Sequence, residues 1–336
     1  MFPRPGELNS ASDDAVRRTN DDAVIGRLSA ANIGYLNDPF VQYFVKRPVR
    51  RPPIINRGTF IRTTVLDRLI QQFLAAGNSN IKKQVVSLGA GSDTRFFCYK
   101  AQSLLTPNNY FEIDYPEITA NKIAILRRNQ ELCRILGEDI RVESGGTELH
   151  TADFHIIPGD LRHWESKVVP SLVQAGLDLK LPTLFLSECV LIYLDPHDSD
   201  RIVEWVGNNM ATSMFVVYEQ ILPNDAFGSV MIQNLKQRGL TLKGIHAYPT
   251  LECQRDRYLK RGWTYADSVD IEKIHDRHID PVELTRISRL EMLDEFEEWR
   301  LLARHYCIAW AYKAQSNEDS KLFDGIGFID YHKPAS

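Results

Sequence analysis

Apolar and polar positions change their period along the chain. Over residues 21–33 apolar side chains recur at helical spacing (Val24, Ile25, Leu28, Ile33), and they do so again at Val65, Leu66, Leu69, Ile70, Phe73 and Leu74. Between these runs, Gly34 to Phe44 reads as a turn and a short aromatic helix. The Arg/Pro stretch from Lys46 to Pro53 reads as a connector, because its prolines cannot sustain a helix. From Val85 short apolar runs alternate with helical ones. The runs 85–89, 110–114, 152–157, 182–187 and 214–218 predict strands, with helices over 93–104, 116–136 and 196–208. Near-continuous apolar strands alternating with helices predict an α/β fold, a parallel sheet covered on both faces.

Beyond residue 218 the alternation stops. Residues 220–262 predict an insertion with helices over 226–237 and 251–260, placed as a lid or substrate-binding region beyond the sheet edge. Strands over 263–269 and 306–312 flank an amphipathic helix over 281–302, whose acids Glu291, Asp294, Glu295, Glu297 and Glu298 read as a solvated face. The polar stretch 137–151 reads as loop. The expected organisation is a flexible tail over 1–20, one domain over 21–313 that opens with N-terminal helices over 21–80, and a second tail over 314–336.

Composition narrows the function classes. With 336 residues, 43% hydrophobic and 25% charged, the chain can bury a sizeable core. A net charge of -4 gives no general attraction to a nucleic-acid backbone or an anionic membrane. No apolar run approaches the roughly 20 residues of a membrane span, and Met1 to Leu8 lacks a signal-peptide core. The five cysteines are odd in number and widely spaced, the usage of a reducing compartment, so cytosol is expected. His150, His155 and His163 lack ligand spacing, His275 and His278 read as surface residues, and no metal site is expected.

The candidate chemistry lies at the strand ends. The first strand runs into Gly89-Ala90-Gly91, and the second ends at Asp114, 25 positions after Gly89. Glycines there let backbone approach a ligand that a Cβ would strike, and an acid at the second strand end can accept from ribose hydroxyls. The third glycine of a dinucleotide fingerprint is missing, and Asp93 sets a negative charge where a pyrophosphate would want none. A nucleoside without phosphates fits better, and S-adenosylmethionine is such a ligand. Asp160 could then accept from the adenine amine, Leu161 pack on the ring, and Glu188 pair with an ammonium group.

The residues also resemble a known family, the leucine carboxyl methyltransferases. The matches include Ile33-Gly34-Tyr35 with Asp38-Pro39, Ile55-Asn56-Arg57-Gly58, Leu88-Gly89-Ala90-Gly91 with Asp93-Thr94, and Phe111-Glu112-Ile113-Asp114. They continue through Ser187-Glu188-Cys189-Val190-Leu191-Ile192-Tyr193, Tyr218-Glu219-Gln220, Asp225-x-Phe227-Gly228, Ser288 with Met292 to Glu295, and His305-Tyr306-Cys307. The resemblance implies a Rossmann-like methyltransferase sheet. It also implies methyl transfer from S-adenosylmethionine to the C-terminal leucine carboxylate of the protein phosphatase 2A catalytic subunit.

Cofactor contacts are implied at Arg62, Gly89, Asp114, Asp160, Leu161 and Glu188, with Arg27 near the methionine carboxylate. A leucine carboxylate has a pKa of about 3.5 and is already an anion, so no general base is needed. Arg62 and Tyr193 are the candidates for steering it. A second branch of the family methylates a modified tRNA base and carries a β-propeller, for which this chain has no room. That branch, or a small carboxylic acid as acceptor, is the alternative; a nicotinamide-dependent reaction is opposed by the missing glycine. A monomer is expected.

Overall fold

The computed structural model describes residues 5–77, 80–104 and 109–332. Its strands are β1 (Gln84–Leu88), β2 (Asn109–Asp114), β3 (Arg141–Glu143), β4 (Glu148–His150), β5 (Phe154–Pro158), β6 (Thr183–Glu188), β7 (Thr212–Gln220), β8 (Tyr265–Asp270) and β9 (Tyr306–Ala314). They form one sheet in the order β3-β4-β5-β2-β1-β6-β7-β9-β8. The centre, β5-β2-β1-β6-β7, is parallel, and an antiparallel pair closes each side. Strand order reverses between β1 and β6. In a parallel sheet that reversal opens a crevice at the carboxyl ends, since the connections leave to opposite faces.

The expected α/β sheet is therefore present, and the central strands are buried on both faces. Val85 of β1 joins one core with Leu66, Ile70 and Phe96, while Val86 and Leu88 join the other with Ile202, Val206 and Phe215. Helices α1 (Pro5–Ile33), α2 (Pro53–Ala75), α3 (Arg95–Ala101), α4 (Pro116–Arg128) and α5 (Gln130–Leu136) precede β3. Later come α6 (Val169–Gln174), α7 (Pro196–Asn209), α8 (Ala226–Gln237), α9 (Leu251–Leu259), α10 (Ile271–His278), α11 (Pro281–Ser288) and α12 (Phe296–Arg304). Proline opens α2, α4, α7 and α11, where its missing N–H costs nothing.

Several expectations need correction. Residues 13–20 are not a flexible tail; they continue α1, whose polar side chains meet distant partners instead of a core, so apolar periodicity misses them. Residues 137–151 are not loop throughout, since Arg141 to His150 carry the β3–β4 hairpin. The helix expected over 116–136 is split at Asn129, whose side chain competes with the backbone by donating to the Ile125 carbonyl at 2.8 Å.

The helix expected over 281–302 is likewise split, and Glu291 in the break is buried, not solvated. It accepts from Asn56 at 2.9 Å and from Arg50 at 2.8 Å. His275 is also buried rather than on the surface. The C-terminal stretch packs back onto the molecule: Leu322 and Phe323 are buried, and Gly327 exchanges two hydrogen bonds with the Gln72 side chain. Of the two expected tails, residues 1–4 and 333–336 lie outside the described residues.

Candidate functional site

At the β1–β6 crevice lies a cavity of about 460 Å³. The strand ends form its floor: Gly89 and Gly91 after β1, Asp114 closing β2, Glu188 closing β6. Both glycines have positive φ, +61° and +53°. A Cβ at Gly89 would lie 2.6 Å from Val190, and one at Gly91 would lie 2.5 Å from Asn20. The turn thus needs glycine because of the chain's own neighbours and backbone conformation, not only because of a ligand.

Asp114 accepts from the Gly91 and Tyr115 N–H groups, each at 2.7 Å, and burial pushes its carboxyl up to about 6. Its remaining lone pairs lie at the cavity. Lys122 of α4 anchors the same loop from below, donating to the Asp93 carbonyl at 2.7 Å and pairing with buried Glu112 at 2.5 Å.

Glu188 is enclosed by arginines. Arg62 of α2 pairs with it through Nε, and Arg95 of α3 donates to its other oxygen at 2.7 Å. Burial opposes ionisation, yet the two guanidinium groups hold the Glu188 carboxyl below its usual range. Arg62 also lies over the Tyr218 ring at 4.8 Å, and Tyr218 stacks on Tyr306 at 5.3 Å. Arg27 of α1 spends its Nε on buried Asp38 at 2.5 Å. Among the described residues, the terminal nitrogens of Arg27 and Arg62 have no hydrogen-bond partner, and both side chains line the cavity. That leaves four terminal guanidinium nitrogens, two from each arginine, for an anionic or polar ligand group.

Sequence reasoning missed Arg95. It is 1% exposed and joins Asp67 at 2.6 Å, Asp93 at 2.8 Å and Glu188. The signal was present in Asp93-Thr94-Arg95: an acid two residues before a cation at a helix start can pair locally. Asp93, read as a charge opposing phosphate, is in fact the partner of Arg95. Tyr193 lines the cavity, and burial raises its phenol, so the group stays a neutral donor. Leu161 also lines it. Asp160 does not: its two oxygens accept from the Arg162 side chain at 2.6–3.0 Å, and Arg162 reaches on to Asp13 at 2.8 Å.

The roof comes from α1 and from the segment after α8. Asn20 accepts from the Ser92 N–H at 2.7 Å and donates to its hydroxyl at 3.1 Å. Asp22 pairs with Arg238 and, at 3.1 Å, with Arg51. Leu235, Arg238 and Leu240 complete the lining. Asn20 and Asp22 were not expected at the site, whereas Leu235, Arg238 and Leu240 belong to the stretch 220–262 read as a lid or substrate-binding region. Among the described residues no group of three or more His, Cys, Asp or Glu is arranged to hold a metal ion. No helix among them is long and apolar enough to cross a membrane.

Known proteins resemble this chain in sequence and in fold. Residues 12–207 match the family described as leucine carboxyl methyltransferase. A protein from Arabidopsis thaliana named leucine carboxyl methyltransferase 1 homolog is 42% identical over 314 residues, spanning 94% of this chain and 92% of its own. The human tRNA wybutosine-synthesizing protein 4 is 34% identical across 100% of this chain, which spans only 49% of that longer protein. Among solved structures, a candidate methyltransferase from Thermobifida fusca superimposes with a TM-score of 0.52 at 15% identity, covering 94% of this chain and 99% of the other. That likeness concerns the fold.

Proposed function

The chain belongs to the leucine carboxyl methyltransferase family, and from that membership we propose that it esterifies the C-terminal leucine α-carboxylate of the protein phosphatase 2A catalytic subunit. S-adenosylmethionine, when bound, supplies an electrophilic methyl group on a sulfonium. The cavity suits such a ligand in its donor set: a carboxylate for a ribose, an apolar side chain for a base, and cationic nitrogens for a carboxylate. Asp114 accepts from the ribose hydroxyls. Leu161 packs on the adenine, with Asp160 holding the Leu161 turn through Arg162. Glu188 keeps a second lone pair on each oxygen for the ammonium, and Arg27 meets the methionine carboxylate.

The observation that carries the reading is the pair of arginines whose terminal nitrogens, among the described residues, have no hydrogen-bond partner, in one cavity at the strand-order reversal. Arg62 and the Tyr193 phenol steer the leucine carboxylate, which needs desolvation and alignment but no base. Residues 21–313 are proposed as one domain, to which 12–20 are joined as part of α1. The five cysteines are free thiols, which fits the cytosol, and the protein is read as a monomer.

The test is methyl incorporation from labelled S-adenosylmethionine into phosphatase 2A core enzyme with and without its terminal leucine. Labelling that requires the leucine and is released by mild base supports the reading. Labelling that ignores the leucine overturns it. The match to the wybutosine-synthesizing relative favours a second acceptor, a modified tRNA base, which the same assay distinguishes with tRNA in place of the phosphatase.

A further inference from the structure

Two stretches singled out in the sequence, Asp225-x-Phe227-Gly228 and His305-Tyr306-Cys307, touch the cavity only through Tyr306, and the fold brings them together. His305 is 1% exposed and sits just past α12. Its Nδ1 lies 2.7 Å from the Leu301 carbonyl, and its Nε2 lies 2.9 Å from Asp225 Oδ1. A carbonyl and an ionised carboxylate can only accept. Each ring nitrogen thus faces an acceptor, one on α12 and one at the start of α8, so the ring bridges the two helices.

Asp225 is the N-cap of α8. The same oxygen that meets His305 accepts from the Gly228 N–H at 2.7 Å, and this bond holds the Asp225 carboxyl below its usual range. The Phe227 ring covers the imidazole at 4.5 Å, and the Ile221 N–H donates to the His305 carbonyl at 2.9 Å. Asp225 from α8 is thus the charged group against the ring, with the Leu301 carbonyl from α12 and Phe227 on its other sides. Both elements joined here continue to the cavity: Tyr306 follows His305, and Leu235, Arg238 and Leu240 lie at and beyond the far end of α8.

We propose that His305 is a positioning residue for the acceptor: it docks the base of α8 against α12 and thereby sets Tyr306 and the α8 roof around the incoming carboxylate. The proposal rests on the acceptor reading above, but the docking itself can be observed without any acceptor.

The experiment pairs amide hydrogen exchange over residues 226–237 with KM and kcat for the leucine-terminated acceptor. His305→Gln cannot span both acceptors. Its α8 amides exchange at least several-fold faster than wild type, and its acceptor KM rises about tenfold while kcat changes less. S-adenosylmethionine Kd stays within about twofold of wild type, which also shows that the variant is folded. Asp225→Asn keeps an oxygen for Gly228 and for the ring but removes the carboxylate charge, so exchange and acceptor KM both rise, by less than in His305→Gln. Unchanged α8 exchange in His305→Gln overturns the docking, and an Asp225→Asn variant that coincides with wild type in both readouts overturns the role of the carboxylate. If wild type fails to methylate the acceptor, the acceptor reading falls, while the exchange data still decide the docking.

Discussion

Gly89, Asp114 and Glu188 stand at the tips of neighbouring hydrogen-bonded strands, fixed by backbone ladders and by cores on both faces of the sheet. Asn20, Asp22 and Arg238, on the covering segments, are held by side-chain hydrogen bonds and ion pairs between segments far apart in sequence. The floor cannot shift without disturbing the sheet. The roof can be unlatched by giving up a few polar contacts, each worth about 1 kcal/mol or less. A cavity built this way keeps its recognition groups rigid and lets its cover move.

The contrast breaks if the floor proves tolerant, and Arg62→Ala tests it most severely. The substitution removes two cationic terminal nitrogens from the cavity, a loss of about 3 kcal/mol of charge-assisted hydrogen bonding, or roughly a hundredfold in Kd. Calorimetry with S-adenosylmethionine reads it directly, and an unchanged Kd removes Arg62 from the site.

Asp114→Asn comes next, with a Kd rise of about tenfold or more for the loss of a charge-assisted acceptor. A pH effect accompanies it. Because burial raises the Asp114 carboxyl to about 6, the acceptor is present above that pH and is lost by protonation below it. Wild-type affinity is therefore flat above about pH 6 and weakens about tenfold per unit below, whereas the asparagine variant lacks this slope. A wild-type affinity that stays level down to about pH 5 would sink the assignment of Asp114 to the ribose.

Asn20→Ala sharpens the contrast from the other side. It removes two roof hydrogen bonds, so cofactor release measured by stopped flow accelerates less than about tenfold, with little change in binding rate. An effect as large as that of Arg62→Ala would make the roof part of the rigid recognition surface.

This difference also decided what could be read from the sequence. Strand tips follow apolar runs, and Asp114 and Glu188 are legible because each ends one. Asn20 carries no such mark: it lies on a polar helix face whose partner, Ser92, is 72 residues away. Residues 13–20 therefore read as tail, although they are helix. Arg95 was overlooked for a related reason, since a buried cation surrounded by Asp67, Asp93 and Glu188 looks on paper like any helix-surface arginine. Glu291 was misplaced because a run of acids suggested solvent, whereas its partner Asn56 belongs to a helix 235 residues earlier.

The placement of α1 also bears on how the protein is made. This helix leaves the ribosome before every strand tip that it covers, yet its latches are Ser92, Arg162 and Arg238. At roughly 5–20 residues per second, Asp22 waits on the order of ten seconds or longer for Arg238 to be synthesised. During that interval α1 can latch to Ser92 and Arg162 as each emerges but not to Arg238, so the crevice lacks that part of its cover. The ligand cavity is thus completed late in synthesis, and a cofactor molecule present in the cell can enter the crevice before its cover is latched.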